Sequence, residues 1–210
     1  LLKFLALMLK NKQKFLFRGF VCSEVCKMQN NISFTAKFIS PATVLKSTET
    51  GKYLQKTVSC VELSPKSKKD LQSLKDLHEL WGHGNYSGDI YYDAKDFDGY
   101  FEEYRPSFFA ITKQKDNFEK LVPEDILGIA ETSTTFGAIK NLDYLQTNPN
   151  FLNKVQPAFK HIGMAMLKFI EGIYKGQRLE IISASKTENF YLKNGYQRLN
   201  NDEHVFFKYV

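Results

Sequence analysis

The sequence predicts one domain of the α/β (α+β) class, in which a mixed, mainly antiparallel twisted sheet is flanked by helices. The chain has 210 residues, 43% of them hydrophobic and 14% aromatic, which is enough for one substantial core. No repeat or linker rich in proline and glycine divides it. Strand-like alternation early in the chain gives way to alternating helix and strand patterns.

The first predicted strands show the two-residue period of a half-buried strand. Residues 32–39 alternate apolar and polar side chains. A turn at Pro41 and a second strand around Val44 would complete a hairpin, which we assign to residues 28–55 as a unit preceding the main domain. Alternation returns at 56–63. Three further strands are predicted at 108–112, 126–132 and 142–146.

The helices are predicted from apolar side chains at three- and four-residue spacing. Residues 67–81 have this pattern, and Gly82 ends the helix. The following stretch, 82–105, is interpreted as irregular and acidic. The chain then continues with helix, strand, helix and hairpin over 159–173, 179–182, 185–195 and 196–209. Ser185 and Glu188 have the spacing of a capping box at the start of the last helix.

Most of the net charge of +6 lies in residues 1–27, which contain six basic residues and Glu24. The nearly neutral remainder lacks the clustered Lys and Arg of a nucleic-acid interface, so we expect no nucleic-acid partner. The apolar run at the start is too short to span a bilayer, and we expect no membrane partner for the core domain. A membrane-surface helix, an added structural helix and sequence outside the natural protein are three interpretations of 1–27. The last is our expectation, with Met28 as the start.

The cysteines indicate the compartment. Cys22, Cys26 and Cys60 form neither an even count nor a paired C-x-x-C spacing, which favours a reducing, cytoplasmic setting. The four histidines have no recognised ligand spacing, so no metal site is predicted.

Three short segments of the second half carry the functional signal. The first ends a predicted strand and precedes Pro149, the second begins a predicted helix, and the third pairs two aromatic residues ahead of a glycine. They are Leu145-Gln146-Thr147, Lys160-His161-Ile162-Gly163-Met164-Ala165 and Asn189-Phe190-Tyr191-Leu192-Lys193-Asn194-Gly195-Tyr196. Free N–H groups at a helix start bind anions, and small residues there allow close approach.

In this order, over residues 56–210, the segments resemble the GNAT (GCN5-related N-acetyltransferase) superfamily. The resemblance implies a GNAT-like sheet whose central strands splay apart. It also implies that acetyl-CoA is bound by the free backbone of one splayed strand and by a pyrophosphate loop at a helix start. The implied cofactor-binding residues are Leu145, Gln146, Thr147, Lys160, His161, Ile162, Gly163, Met164 and Ala165. Lys160 and Ala165 depart from the family's usual Gln or Arg and Gly.

The resemblance further implies an acyl-CoA-dependent N-acyltransferase that passes an acyl group, expected to be acetyl, to a primary amine by direct attack. Tyr191 matches the residue that protonates the leaving thiolate. Glu131 and Glu180 lie where family members place a base, and a water relay is the third option. A non-catalytic acyl-CoA-binding or protein-interaction module of the same fold is the alternative function.

The acceptor site in this fold would be built from residues 80–105. This region is acidic, which favours a cationic small-molecule or peptide amine, although a solvated acidic loop has the same composition. The aromatic residues there either line a pocket or simply pack: Trp81, His83, Tyr86 and Tyr92. We expect a monomer or a homodimer.

Overall fold

Nine strands and four α-helices are found in the part of the chain that the structure describes. In this computed structural model the described residues are 35–82, 85–101, 105–135, 139–152, 154–199 and 204–210. The chain from Phe34 to Val210 forms one compact unit. The interpretations made for residues 1–27, Met28 and His83 lie outside the described residues.

The strands are β1 Lys37–Ser47, β2 Tyr53–Leu63, β3 Ser107–Thr112, β4 Ile126–Thr135, β5 Ile139–Thr147, β6 Phe159–Lys160, β7 Arg178–Ile182, β8 Gln197–Arg198 and β9 Val205–Tyr209. The helices are α1 Lys68–Trp81, α2 Tyr86–Lys95, α3 Ile162–Ile173 and α4 Glu188–Lys193. In the described residues no helix is both long enough and apolar enough to cross a membrane.

All nine strands join one sheet in the order β6-β1-β2-β3-β4-β5-β7-β9-β8. β5 and β7 run parallel, and the other neighbouring strands of this sheet run antiparallel. The parallel pair requires a crossover, which α3 supplies between β5 and β7. The predicted class, a mixed and mainly antiparallel sheet flanked by helices, is confirmed.

Each face of the sheet has its own apolar core. On one face α1 and α2 cover side chains such as Phe108 and Ile129. On the other face α3 and the Tyr191 ring of α4 pack over a second set that includes Phe109 and Leu179. The helices α2 and α4 therefore lie on opposite faces of the sheet.

Two predictions for the first third of the chain are wrong. The turn predicted at Pro41 does not form, because β1 runs through Pro41 to Ser47 and the chain turns at 48–51. The proposed boundary after residue 55 falls inside β2, which pairs with both β1 and β3. The hairpin is thus part of the main sheet.

Three predictions about helices also need correction. Residues 82–105 are not wholly irregular, since α2 occupies Tyr86–Lys95. The helix predicted from residue 159 begins at Ile162, because the two residues before His161 form β6 on the edge of β1. The capping box at Ser185 does not form, since Glu188 accepts a hydrogen bond from Arg198 Nη2 at 2.7 Å.

Candidate functional site

Among the residues that the structure describes, the end of β5 from Leu145 to Thr147 has a free edge. β5 pairs with β4 along its length, from Ile139 to Thr147. Its pairing with β7 covers only residues 140–142. Beyond Leu142 the two strands no longer pair, so within the described part of the sheet the backbone from Leu145 to Thr147 has N–H and C=O groups on this edge that no ladder uses. The central strands are therefore splayed, as predicted, and an extended amide-bearing ligand can supply the missing partners.

The helix α3 begins next to this free edge. His161 adopts a left-handed conformation with φ of 64°, which turns the chain out of β6 and into the helix. The first helical N–H groups, of Ile162, Gly163 and Met164, have no carbonyl one turn earlier to bond. These N–H groups and the positive end of the helix dipole make the start of α3 suitable for a phosphate group.

Gly163 brings the three predicted segments together. A β-carbon at Gly163 would lie 3.5 Å from Thr147 Cγ2, 3.7 Å from Leu145 Cδ2 and 3.7 Å from Phe190 Cζ. Gly163 itself is partly exposed. The start of α3, the free edge of β5 and the aromatic pair of α4 thus border one cleft, although they are separated by up to 45 residues in the sequence (Leu145 to Phe190).

Tyr191 lies one ring away from this junction. Its ring centroid is 5.1 Å from that of Phe190 and 5.8 Å from that of Tyr196, both in edge-to-face arrangements. Only 8% of the Tyr191 residue is exposed. Burial, followed by the nearby Tyr86, raises the pKa of Tyr191 to about 12. The phenol is therefore protonated at neutral pH and can act as an acid.

Tyr86 influences the pKa of Tyr191 although the two residues belong to helices on opposite faces of the sheet. Tyr86 belongs to α2 and Tyr191 to α4, and these helices pack on opposite faces of the sheet. A paired sheet would separate them. The pairing of β5 with β7 ends at Leu142, and Tyr86 lies close enough to Tyr191 to contribute to its raised pKa.

The side chain of Gln146 stabilises the start of α2. Its side chain points to the α2 face, and Oε1 accepts a hydrogen bond from Ser87 N at 2.8 Å. Asn85 is the N-cap residue of α2, and its side chain makes no capping hydrogen bond. Gln146 therefore caps α2 from a distance and fixes its first turn to β5.

The two carboxylates proposed as bases have different surroundings. Glu131 is 4% exposed, lies in β4 opposite Tyr144 and faces the α2 side. Its charge is among the causes that raise the pKa of Tyr100, so the two side chains are close. Glu180 lies in β7, where its Oε1 accepts a hydrogen bond from Arg178 Nη2 at 2.5 Å.

The other predicted cofactor-binding residues surround the start of α3. Lys160 lies in β6 with its ammonium 4.0 Å from the centroid of the Tyr53 ring. Ile162 and Ala165 are buried beneath the helix, whereas His161 and Met164 are exposed. The cleft is thus bordered by Leu145, Thr147 and Gly163. The side chains of Lys160 and Gln146 contact Tyr53 and Ser87 instead.

Tyr144, on the α2 face of β5, is a neighbour of Glu131 that the sequence did not indicate. Its ring lies 5.2 Å, centroid to centroid, from that of Tyr86. It is opposite Glu131 in the β4–β5 ladder, so both side chains project from the same face. The strand register places Tyr144 beside Glu131, and the sequence alone does not give this register. A tyrosine in a strand-like segment has no other feature that predicts a functional role.

The chain is similar in structure to solved proteins, although comparisons of its sequence find no match. No protein-family model and no curated protein matches the sequence. The chain is similar to solved acetyltransferases of the GNAT family.

Three solved structures illustrate this similarity. A protein assigned to the GNAT acetyltransferases, from Desulfovibrio desulfuricans, matches 72% of this chain and 98% of its own, with 12% identity and a TM-score of 0.49. One assigned as an N-acetyltransferase, from Lactobacillus plantarum, matches 71% and 94%, with 14% identity and a TM-score of 0.46. A GNAT-family acetyltransferase from Staphylococcus aureus matches 72% and 98%, with 11% identity and a TM-score of 0.44.

Proposed function

We propose that this protein is a GNAT-type N-acyltransferase that moves an acyl group from acyl-CoA, with acetyl-CoA as the expected donor, to a primary amine. The observation that carries the proposal is the cleft in which the free edge of β5 meets the start of α3 at Gly163. One wall offers backbone amides to an extended ligand, and the other offers helix N–H groups to a phosphate.

The residues present fit a CoA thioester. The edge from Leu145 to Thr147 would hold the pantetheine amides, and the N–H groups of Ile162, Gly163 and Met164 would hold the pyrophosphate. Gly163 is partly exposed, and the side chains of Thr147, Leu145 and Phe190 lie 3.5–3.7 Å from the position that its β-carbon would take. When bound, the donor supplies an acyl group activated as a thioester.

The reaction requires a neutral amine, a polarised carbonyl and a proton for the leaving sulfur. The amine nitrogen forms the new C–N bond as the C–S bond breaks. Backbone N–H groups near Gln146 and Thr147 would stabilise negative charge on the carbonyl oxygen. Tyr191 would donate its proton to the departing thiolate, and its raised pKa keeps that proton available at neutral pH.

Glu131 is the carboxylate that we assign to deprotonating the amine, directly or through a water molecule. It is buried near the β5–β7 gap and on the α2 side, from which an acceptor would enter. Glu180 is the weaker candidate, because its Oε1 is already bonded to Arg178 Nη2 at 2.5 Å.

A second function, binding of acyl-CoA without turnover, is favoured by one observation. The cation at the start of the proposed pyrophosphate loop, Lys160, lies on the Tyr53 ring and is not turned into the cleft. The family's basic residue at this point would therefore contribute less to cofactor binding.

Calorimetric titration with acetyl-CoA followed by a thiol-release assay tests both functions. We expect saturable binding and amine-dependent release of free CoA thiol over a panel of primary amines. Binding without release would replace the enzyme proposal with the acyl-CoA sensor. Absence of binding at millimolar acetyl-CoA would overturn both.

A further inference from the structure

The end of α4 is bonded to two other elements through the ammonium of Lys208. Lys208 lies in β9, and its Nζ donates hydrogen bonds to Glu171 Oε1 of α3 at 2.8 Å and to the backbone oxygen of Asn194 at 3.0 Å. Asn194 directly follows α4 and is its C-cap residue. One cation therefore joins the end of α4 to both β9 and α3.

The carboxylate of Glu171 makes this junction ionic. Only 9% of Glu171 is exposed. Burial would raise the pKa of Glu171, but hydrogen bonds from Lys168 and Lys208 outweigh burial, and the pKa is lowered. Glu171 is therefore ionised at neutral pH, and its pair with Lys208 is screened by salt and water less than an exposed ion pair is.

Lys208 also packs on the turn that follows α4. Gly195 in this turn has φ of 84°, and a β-carbon there would lie 3.8 Å from Lys208 Cε. The ammonium lies 5.4 Å from the centroid of the Tyr196 ring, and that ring meets Tyr191 edge to face at 5.8 Å. The backbone oxygen of Tyr191 accepts hydrogen bonds from the N–H groups of Asn194 at 3.0 Å and Tyr196 at 3.1 Å. Lys208 thus supports Tyr191 through both a ring and the backbone.

The helix α4 depends on tertiary contacts because it has only six residues. A helix of that length is not stable in isolation. Its start is bonded through Glu188 to Arg198 and His204, whose side chains are 44% and 54% exposed. Exposed pairs of this kind contribute little to stability. The Lys208 side chain at the other end is 24% exposed, so we expect its contacts to determine the orientation of α4 more strongly.

We propose that Lys208 is a positioning residue for the proposed acyl transfer: through Asn194 and Tyr196 it keeps the phenol of Tyr191 in the orientation that proton donation requires. The proposal rests on the acyltransferase function and adds a residue to it. The residues assigned to CoA binding lie on β5 and at the start of α3. Loss of Lys208 should therefore slow the chemical step and leave CoA binding intact.

Lys208→Met tests the role directly, because methionine keeps an unbranched side chain and lacks the ammonium. With acetyl-CoA and the primary amine that reacts fastest, we expect kcat to fall about tenfold or more, since misplacement of a group by an ångström can lower a rate about 100-fold. The dissociation constant for CoA should stay within about twofold, because its site is distant. Lys208→Arg keeps a cation with several donors and should restore kcat to within about threefold.

Lys168→Met is the matched control. Lys168 Nζ bonds the other oxygen of Glu171 at 2.8 Å, and its side chain is 56% exposed. The substitution removes a cation from the same carboxylate but leaves the bond from Lys208 to Asn194 in place. We expect kcat to stay within about twofold of the unmodified protein.

A double-mutant cycle with Tyr191→Phe distinguishes positioning of the phenol from a general loss of stability. In the Tyr191→Phe protein there is no hydroxyl to misplace, so Lys208→Met should change kcat by less than about twofold there. Its effect on the denaturant midpoint should be the same in both backgrounds, because phenylalanine keeps the ring. Glu171→Gln weakens the hold on Lys208 more mildly, and the same cycle with this variant should give the same pattern with a smaller fall in kcat.

The outcomes separate this inference from the function beneath it. Equal fractional losses of kcat with and without the Tyr191 hydroxyl, or a parallel loss of CoA affinity, would overturn the positioning role and leave the acyltransferase intact. An unchanged kcat in a folded Lys208→Met protein would do the same. No turnover of any primary amine by the unmodified protein, despite acetyl-CoA binding, would refute the enzyme proposal and this inference with it.

Discussion

Ile162, the first residue of α3, rests on Gly128 of β4: a β-carbon built on Gly128 would lie 3.0 Å from Ile162 Cγ2 and 3.2 Å from the backbone oxygen of Gln146. A glycine at this position lets the helix start approach the sheet. The position of the proposed pyrophosphate site therefore depends on a residue in the strand beneath it.

Gly128→Ala is expected to weaken both folding and CoA binding, because its new methyl group displaces Ile162. We expect a loss of about 1–3 kcal/mol in the free energy of unfolding, typical of overpacking. Gly163→Ala is the matched control for the unfolding measurement alone, since its nearest contacts of 3.5–3.7 Å are ordinary and Gly163 itself belongs to the proposed CoA site. Denaturant unfolding and calorimetry with CoA measure both effects. Equal behaviour of the two variants in unfolding would contradict the proposed anchoring of α3.

Tyr191→Phe is expected to lower kcat about 100-fold, the usual minimum for a lost general acid, while CoA affinity stays nearly unchanged. Tyr196→Phe is the control, because Tyr196 packs beside Tyr191 in the same aromatic cluster. With a pKa of about 12, Tyr191 keeps its proton well into the alkaline range, so its ionisation should cause no fall in kcat below about pH 11. Equal losses of kcat and CoA affinity would remove Tyr191 from the chemistry.

Glu131→Gln should lower kcat/KM about 100-fold at neutral pH, because the amide keeps the shape of the side chain and cannot accept the amine proton. The same change at Glu180 should have an effect within about threefold, since that carboxylate bonds Arg178. Rates measured over a pH series separate the cases, because a lost base is partly replaced as rising pH deprotonates the amine itself. A larger effect at Glu180 would reverse the assignment.

Gln146→Leu is expected to raise KM for the acceptor about tenfold and leave CoA affinity unchanged. The substitution removes the cap of α2 and releases Tyr86, whereas the backbone of β5 is retained. Gln146→Glu should restore the unmodified KM, because a carboxylate accepts the Ser87 N–H and interacts favourably with a helix start. A parallel loss of CoA affinity in Gln146→Leu would show that the side chain serves the donor instead.

Elements with local signals could be predicted from the sequence. Ser67 caps α1 through its side chain, which accepts from Asp70 N, and Gly82 ends the helix with φ of 83°. Both residues are recognisable from the chain alone. The meeting of the three segments at Gly163 was also expected, because in this order they resemble the GNAT superfamily.

Elements held by distant contacts could not be predicted. α2 contains Ser87, Gly88 and Asp89, which are poor helix formers, and it is stabilised by Gln146 and by close packing on His78. Pro41 indicates a turn by residue type, yet among the described strands it lies where β1 pairs with β2 alone, an edge position at which sheets tolerate proline. The contact between the Tyr86 and Tyr144 rings likewise could not be predicted without the strand register.

The central claim is that one ligand bonds both the free edge of β5 and the start of α3. Amide hydrogen exchange measured with and without CoA tests it most directly, because it reports on those N–H groups individually. The account predicts slower exchange at Leu145–Thr147 and at Ile162–Met164 when CoA is present. Unchanged exchange in both segments at saturating CoA would contradict it.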